Sequence, residues 1–180
     1  AAIDSLVEHG RGVITLVSDV PRSRRHAYVG IDNVAAGRTA ATLVGRLVGR
    51  QEGEIGVIAG SLSLRDHAER NLGFNQVMSS EYPHLTVLPT LQGKDASELN
   101  ETLARQLLAQ HPQLRAIYSI GAGNPGIATA LKAMPRAEKV VFVGHELTPA
   151  ARADLLDGTM DALINQDAGH EIRSTLRQAL

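Results

Sequence analysis

From Gly12 onward the chain alternates short, β-rich apolar runs with longer stretches of helical period, and no other feature narrows the folds open to it as much. Parallel strands joined by crossover helices are the expected result. The runs fall at residues 13–17, 27–31, 54–59, 86–91, 116–120, 140–144 and 162–165. Most are continuously apolar, as strands covered on both faces should be. Between them, Ala40, Leu43, Val44, Leu47 and Val48 have the spacing of a core-facing helical stripe. Asp95-Ala-Ser-Glu98 has the form of a capping box. Asn124-Pro125 and Thr148-Pro149 each place a capping residue before a proline at the first helical position, and Gly158 is expected to end the second of these helices. The predicted class is α/β, with a parallel sheet between helical layers.

Composition sets the outer limits. A hydrophobic content of 43% with 21% charged residues suits a globular protein, and 180 residues suffice for one substantial core or two small lobes. The formal charge of −1 lacks the cationic surplus of a phosphate-backbone footprint, so any DNA contact would come from another segment. The absence of cysteine removes disulfides, thiolate metal sites and cysteine nucleophiles. No apolar run approaches the roughly 20 residues needed to span a bilayer, and the first residues lack the form of a signal peptide. The chain is therefore expected to be soluble. It begins without methionine, directly in an amphipathic pattern of Ile3, Leu6 and Val7, which reads as a segment cut from a longer protein.

In open parallel sheets, ligands bind beyond the carboxyl ends of the strands. That rule selects Ser18 and Asp19, Gly60-Ser61, the 121–124 turn with Gly123 and Asn124, His145 and Glu146, and Gln166-Asp167. The next helix adds Asp66 and Arg70, four residues apart and so on one face. Carboxylates accept strongly, guanidinium donates in a fork and amides do both, a set suited to sugar hydroxyls.

Other readings compete with each of these. Gly121-Ala-Gly-Asn-Pro-Gly126 matches the G-x-G-x-x-G pattern, with Glu146 twenty residues beyond its last glycine, where a ribose-binding acid would stand. Pro125, however, removes one of the N–H donors a pyrophosphate needs. Asn124 is then either a helix cap or a donor to a ligand hydroxyl. The stretch 65–70 is either a solvated helix face or the carrier of Arg70. His145-Glu146 and His170-Glu171 do not continue into a zinc motif, and neither a nucleophile elbow nor a second attractive acid pair beyond Asp19 and Glu146 is present. No metal, cofactor or catalytic group is expected.

Several motifs, in order and each at a strand end, resemble the lactose-repressor (LacI/GalR) family of transcription regulators and the sugar-binding proteins of the type I periplasmic class. They are Val17-Ser-Asp-Val-Pro21, Tyr28-Val-Gly-Ile-Asp-Asn33, Arg70-x-x-Gly-Phe74, Val143-Gly-His-Glu-Leu-Thr148 and Ile164-Asn-Gln-Asp167. The His-Glu-Leu-Thr stretch is more similar to the regulators. The resemblance implies three-layer lobes of the type I periplasmic-binding-protein-like fold, truncated at both ends: residues 1–31 a remnant of the N-terminal lobe, 32–167 the C-terminal lobe, and 168–180 a helix crossing back. It implies a small polar ligand, a sugar or sugar derivative, held between the lobes by Ser18 or Asp19, Arg70, the Gly123-Asn124 loop, Glu146 and Gln166. For a regulator it further implies a cytoplasmic homodimer that binds DNA through a segment absent from this chain, with the ligand shifting the population of hinge angles. Two departures stand out. Gly123-Asn124-Pro125 replaces a common Asn-Asp pair, and Glu146 replaces a common Asp. The alternatives are a periplasmic sugar-binding protein serving a transporter and, further off, an NAD-dependent or carbohydrate-hydrolysing enzyme.

Overall fold

The computed structural model of the chain describes residues 2–20, 22–134 and 139–180, so Pro21 of the first motif lies outside the described residues. Two compact units are present, one of residues 33–165 and one of residues 1–32 with 166–180.

The larger unit is built on a wholly parallel sheet. Its strands are β3 (Gly53–Ala59), β4 (Leu85–Val87), β5 (Leu91–Gln92), β6 (Leu114–Ser119), β7 (Val141–His145) and β8 (Ala162–Ile164), in the order β4-β3-β6-β7-β8, with β5 also paired to β3. Five helices cover it: α2 (Asn33–Val48), α3 (Arg65–Glu81), α4 (Ser97–Gln110), α5 (Asn124–Ala133) and α6 (Pro149–Leu156). Because side chains alternate along a strand, each strand feeds two cores. Ile55, Val57, Tyr118 and Val143 pack with α2 and α3 on one face. Ile58, Ile117 and Phe142 pack with Leu107, Ile127 and Ala151 of α4, α5 and α6 on the other. The predicted α/β class with a sheet between helical layers is the architecture found.

Local departures from the sequence reading have physical reasons. The strand expected over residues 86–91 is split into β4 and β5 around Pro89, which has no N–H to give to the ladder. The buried face of α2 is made of Ala36, Gly37, Ala40, Ala41, Val44, Gly45 and Val48, while Leu47 of the expected stripe is 48% exposed. Small residues win this face because α3 crosses it closely: a Cβ on Gly37 would lie 2.0 Å from the carbonyl oxygen of Arg70, and one on Gly73 would lie 2.1 Å from that of Val34. The capping box is not formed. Ala96 is the N-cap of α4 with no side-chain cap bond, and the Asp95 carboxylate instead accepts from the backbone N–H of Ala122 at 2.8 Å. Asn124 is likewise not the cap of α5, a place taken by Gly123. Thr148 does cap α6, accepting from Ala151 N at 3.1 Å, and Gly158 follows that helix at φ +78°, where a side chain would be strained.

The smaller unit contains α1 (Ala2–Glu8), the parallel pair β1 (Ile14–Leu16) and β2 (Ala27–Val29), and α7 (Ala168–Ala179), which packs on both strands. Both strands are shorter than the runs at 13–17 and 27–31. The first ends where Val17 enters the left-handed region at φ +66°. Leu6, Leu16, Val17, Ile172 and Leu176 remain exposed. Among the described residues, no helix is long and apolar enough to cross a membrane.

Candidate ligand-binding site

In the larger unit the carboxyl ends of β3, β6 and β7 carry a concentration of buried polar groups. Arg70, on the first turns of α3, is only 4% exposed. Its Nε donates to Asn33 Oδ1 at 2.9 Å and its Nη1 to the carbonyl of Ile120 at 3.0 Å. Among the described residues no carboxylate forms an ion pair with it. A buried guanidinium fixed by neutral acceptors, with Nη2 outside these bonds, is a pre-set donor to whatever occupies this edge. Sequence position alone singled out Arg70, but its anchor Asn33, at the start of α2, was missed. Nothing in the sequence ties residues 37 positions apart.

Beneath Arg70 lies an aromatic pair. The Tyr118 hydroxyl and His145 Nε2 are 2.8 Å apart, and Tyr118 stacks on Phe74 with ring centroids 4.5 Å apart. Burial above all, then the charge of Arg70 and of His67, pushes the His145 pKa down to about 3, so the ring is neutral at ordinary pH. Burial also pushes the Tyr118 hydroxyl well above its ordinary value. His145 Nδ1 is buried with no hydrogen-bond partner among the described residues.

This neutral imidazole links stability to pH. The unfolded chain takes up a proton at His145 near pH 6.5, the folded chain only near 3, so the folded state gains stability as pH rises through that window. The contribution is complete above the unfolded value and is lost on acidification at up to roughly 1.4 kcal/mol per pH unit. His145→Gln, which keeps a partner for Tyr118, is expected to flatten this limb. Urea midpoints at pH 5 and pH 7 check it, and equal slopes in the two proteins would contradict it.

Other polar residues stand at the same edge: the expected Asp66, Asn124 and Glu146, and His67, which the sequence did not single out. His67 is buried, its Nδ1 accepting from Ser61 N at 3.2 Å and its Nε2 lying 3.9 Å from Asp66 Oδ2. Asn124 is 4% exposed and donates through Nδ2 to the carbonyl of His145 at 2.7 Å. Glu146 sits at φ +69°, its N–H donating to Ile164 O at 3.1 Å and its carbonyl accepting from Thr148 N at 2.9 Å. Asp95, read from sequence as a cap, proves to stand at this edge. A Cβ on Gly121 would lie 2.1 Å from Asp95 Oδ1 and 3.1 Å from both Gly60 N and His67 Cε1. With Lys94 and Asp95 both at positive φ, 52° and 55°, this connection is held in a sparsely populated conformation. A carboxylate bonded to the Ala122 N–H also opposes a pyrophosphate on the Gly121–Gly126 turn, on the same side as the lost Pro125 donor.

Ser18, Asp19 and Gln166 belong to the smaller unit. Ser18 is exposed. The Asp19 side chain, 6% exposed, accepts from Thr15 Oγ1 at 2.9 Å and from Arg25 Nη2 at 2.7 Å. Gln166 is half-buried and precedes Asp167, which caps α7 by accepting from His170 N at 2.8 Å. Asp19 and Glu146, the candidate acid pair, therefore stand in different units. Among the described residues no group of three or more His, Asp or Glu side chains forms a metal-holding cluster.

Comparison with known proteins follows the same lines. The profile of the periplasmic binding protein domain matches residues 1–180, the whole chain. A D-ribose/D-allose-binding protein of Pseudomonas aeruginosa is 28% identical over 160 residues, 85% of this chain and 47% of its own length. The solved structure of XylFII superposes with a TM-score of 0.90 at 25% identity, over 97% of this chain and 64% of that one. A solute-binding protein of an ABC transporter from Burkholderia graminis, solved with D-arabinose, does so with a TM-score of 0.81 at 27% identity, over 88% of this chain and 55% of that one. The chain thus spans about half the length of the curated relative it matches. The type I periplasmic-binding-protein-like fold expected from the motifs is the fold these structures share. With its profile match running from end to end, the chain belongs to the periplasmic binding protein domain family.

Proposed function

We propose that this domain binds a monosaccharide at the carboxyl edge of its larger sheet and releases it unchanged, as the sugar-binding proteins of transporters do. The observation that carries this is Arg70, a buried cation whose scaffold contacts are all neutral and which has no ion-pair partner among the described residues. A hydroxyl-rich ligand supplies acceptors to such a donor and loses little when desolvated beside it. The neutral His145 adds no second positive charge to that of Arg70. The ribose, allose and arabinose named for the relatives supply the first ligands to try.

The comparisons favour this reading over a LacI-type regulator. The feature that pointed to a regulator, His145-Glu-Leu-Thr148, has local structural work here: His145 pairs with Tyr118 and Thr148 caps α6. A DNA-contacting segment, a homodimer and a cytoplasmic location belong to the regulator reading, and the relatives lend them no support.

Calorimetric titration with D-ribose, D-allose, D-arabinose, D-ribonate and NAD tests the proposal. Saturable binding of at least one neutral sugar, at about 1 μM or tighter and so worth about 8 kcal/mol, is expected. Binding confined to D-ribonate or NAD would overturn it.

A further inference from the structure

Helix α3 carries a second buried nitrogen donor beside Arg70. His67 lies three residues before it, so the two side chains leave the same face of the helix, and they are 6% and 4% exposed. The imidazole stands at the carboxyl edge of the larger sheet because the turn after β6 has no side chain to meet it: a Cβ on Gly121 would lie 3.1 Å from His67 Cε1.

The backbone decides where the ring carries its proton. A backbone N–H can only donate, and that of Ser61 donates to His67 Nδ1 at 3.2 Å, so Nδ1 accepts and the proton sits on Nε2. Nε2 makes no hydrogen bond among the described residues, and Asp66 Oδ2, at 3.9 Å, stands beyond hydrogen-bond distance. One ring nitrogen is therefore spent on the scaffold and the other is left over, as Nη2 is left outside the scaffold bonds of Arg70. An N–H in such a place is costly unless something arrives to accept from it. A histidine that only held Ser61 would need no second donor.

We propose that His67 is a specificity-determining residue of the sugar site: Ser61 orients the ring, and Nε2–H donates to a second hydroxyl of the sugar that Arg70 holds. A sugar without that hydroxyl leaves the donor unpaired and is rejected. The claim rests on the sugar-binding reading, while the orientation of the ring is a property of the free protein.

The test has two arms. The first needs no sugar: in long-range proton–nitrogen NMR spectra of the native protein, assigned by the signals lost in His67→Asn, the His67 proton is expected on Nε2. A protonated Nδ1 would overturn the proposal. The second arm titrates whichever of D-ribose, D-allose and D-arabinose the native protein binds. His67→Asn sets an amide oxygen near the Nδ1 position, which keeps an acceptor for Ser61, and has nothing at Nε2. His67→Gln sets its amide nitrogen near the Nε2 position and keeps that donor. Affinity is expected to fall about ten-fold in His67→Asn and less than about two-fold in His67→Gln. A loss in His67→Gln as large as that in His67→Asn, or larger, is what a purely structural histidine gives, and it would overturn the proposal. Among monodeoxy analogues of the same sugar, one is expected to bind native protein and His67→Asn within about two-fold of each other, because it lacks the hydroxyl that His67 reaches. The same ten-fold difference for every analogue would contradict a contact with any hydroxyl. Should the native protein take up none of the three sugars, the sugar-binding reading fails and the proposal with it, while the spectra still report how the ring is oriented.

Discussion

Gly73→Ala is expected to destabilise the protein by about 3 kcal/mol, lowering the melting temperature by about 6–12 °C for a chain of this size. The new Cβ would stand 2.1 Å from the carbonyl oxygen of Val34, with Arg38 N a further contact at 3.1 Å. These are backbone atoms of α2 and cannot rotate away, so α2 and α3 must separate. Separation opens the core in which Phe74, Ala40, Ala41 and Val44 are fully buried. Gly37 makes the reciprocal approach to Arg70 O, and once the helices have moved apart a second alanine at Gly37 should cost less than it does alone. Gly12→Ala is the control, since its Cβ meets nothing within 4 Å, and it should change stability by less than about 0.5 kcal/mol. Thermal or urea denaturation reads the four variants against the native protein. A Gly73→Ala protein as stable as the Gly12→Ala control would show that the helices do not cross this closely. The same crossing sets Asn33 of α2 against Arg70 of α3, so this close contact also holds the proposed binding donor in place.

Much of this was legible from the chain. Strand-and-helix alternation identifies a parallel sheet because residues with period 2 and period 3.6 cannot exchange roles. The carboxyl-edge rule then brings Gly123, Asn124, His145 and Glu146 into view from strand ends, and Arg70 from the start of the helix that follows one. What stayed hidden depends on tertiary contact. The buried face of α2 turned on glycines and alanines because another backbone approaches it, whereas periodicity favours the larger Leu43 and Leu47. Asp95 kept the form of a capping residue, but two successive positive-φ residues swing it onto the Ala122 N–H. The Asn33–Arg70 and Tyr118–His145 pairs join distant parts of the chain, and single-sequence patterns carry no information about such partners. Thr148 could be read correctly because capping is a local exchange between a hydroxyl and an N–H three residues on.

Arg70→Ala is expected to abolish sugar binding, weakening it by at least about 100-fold, because hydrogen bonds from a charged donor are worth about 1.5–3 kcal/mol each and the guanidinium offers more than one. Part of the loss is indirect. Asn33 Oδ1 and the Ile120 carbonyl lose their donors, at a stability cost of about 2 kcal/mol. Arg70→Lys should not rescue binding, since one ammonium cannot reproduce a planar fork that serves Asn33, Ile120 and a ligand at once. Stability and binding can be told apart by titrating well below the melting temperature of each variant. The decisive measurement is calorimetric titration of D-ribose and D-allose into the native protein and Arg70→Ala. Saturable binding in the first, lost by 100-fold or more in a folded second, is the predicted result. Equal affinity in the two proteins would contradict the account.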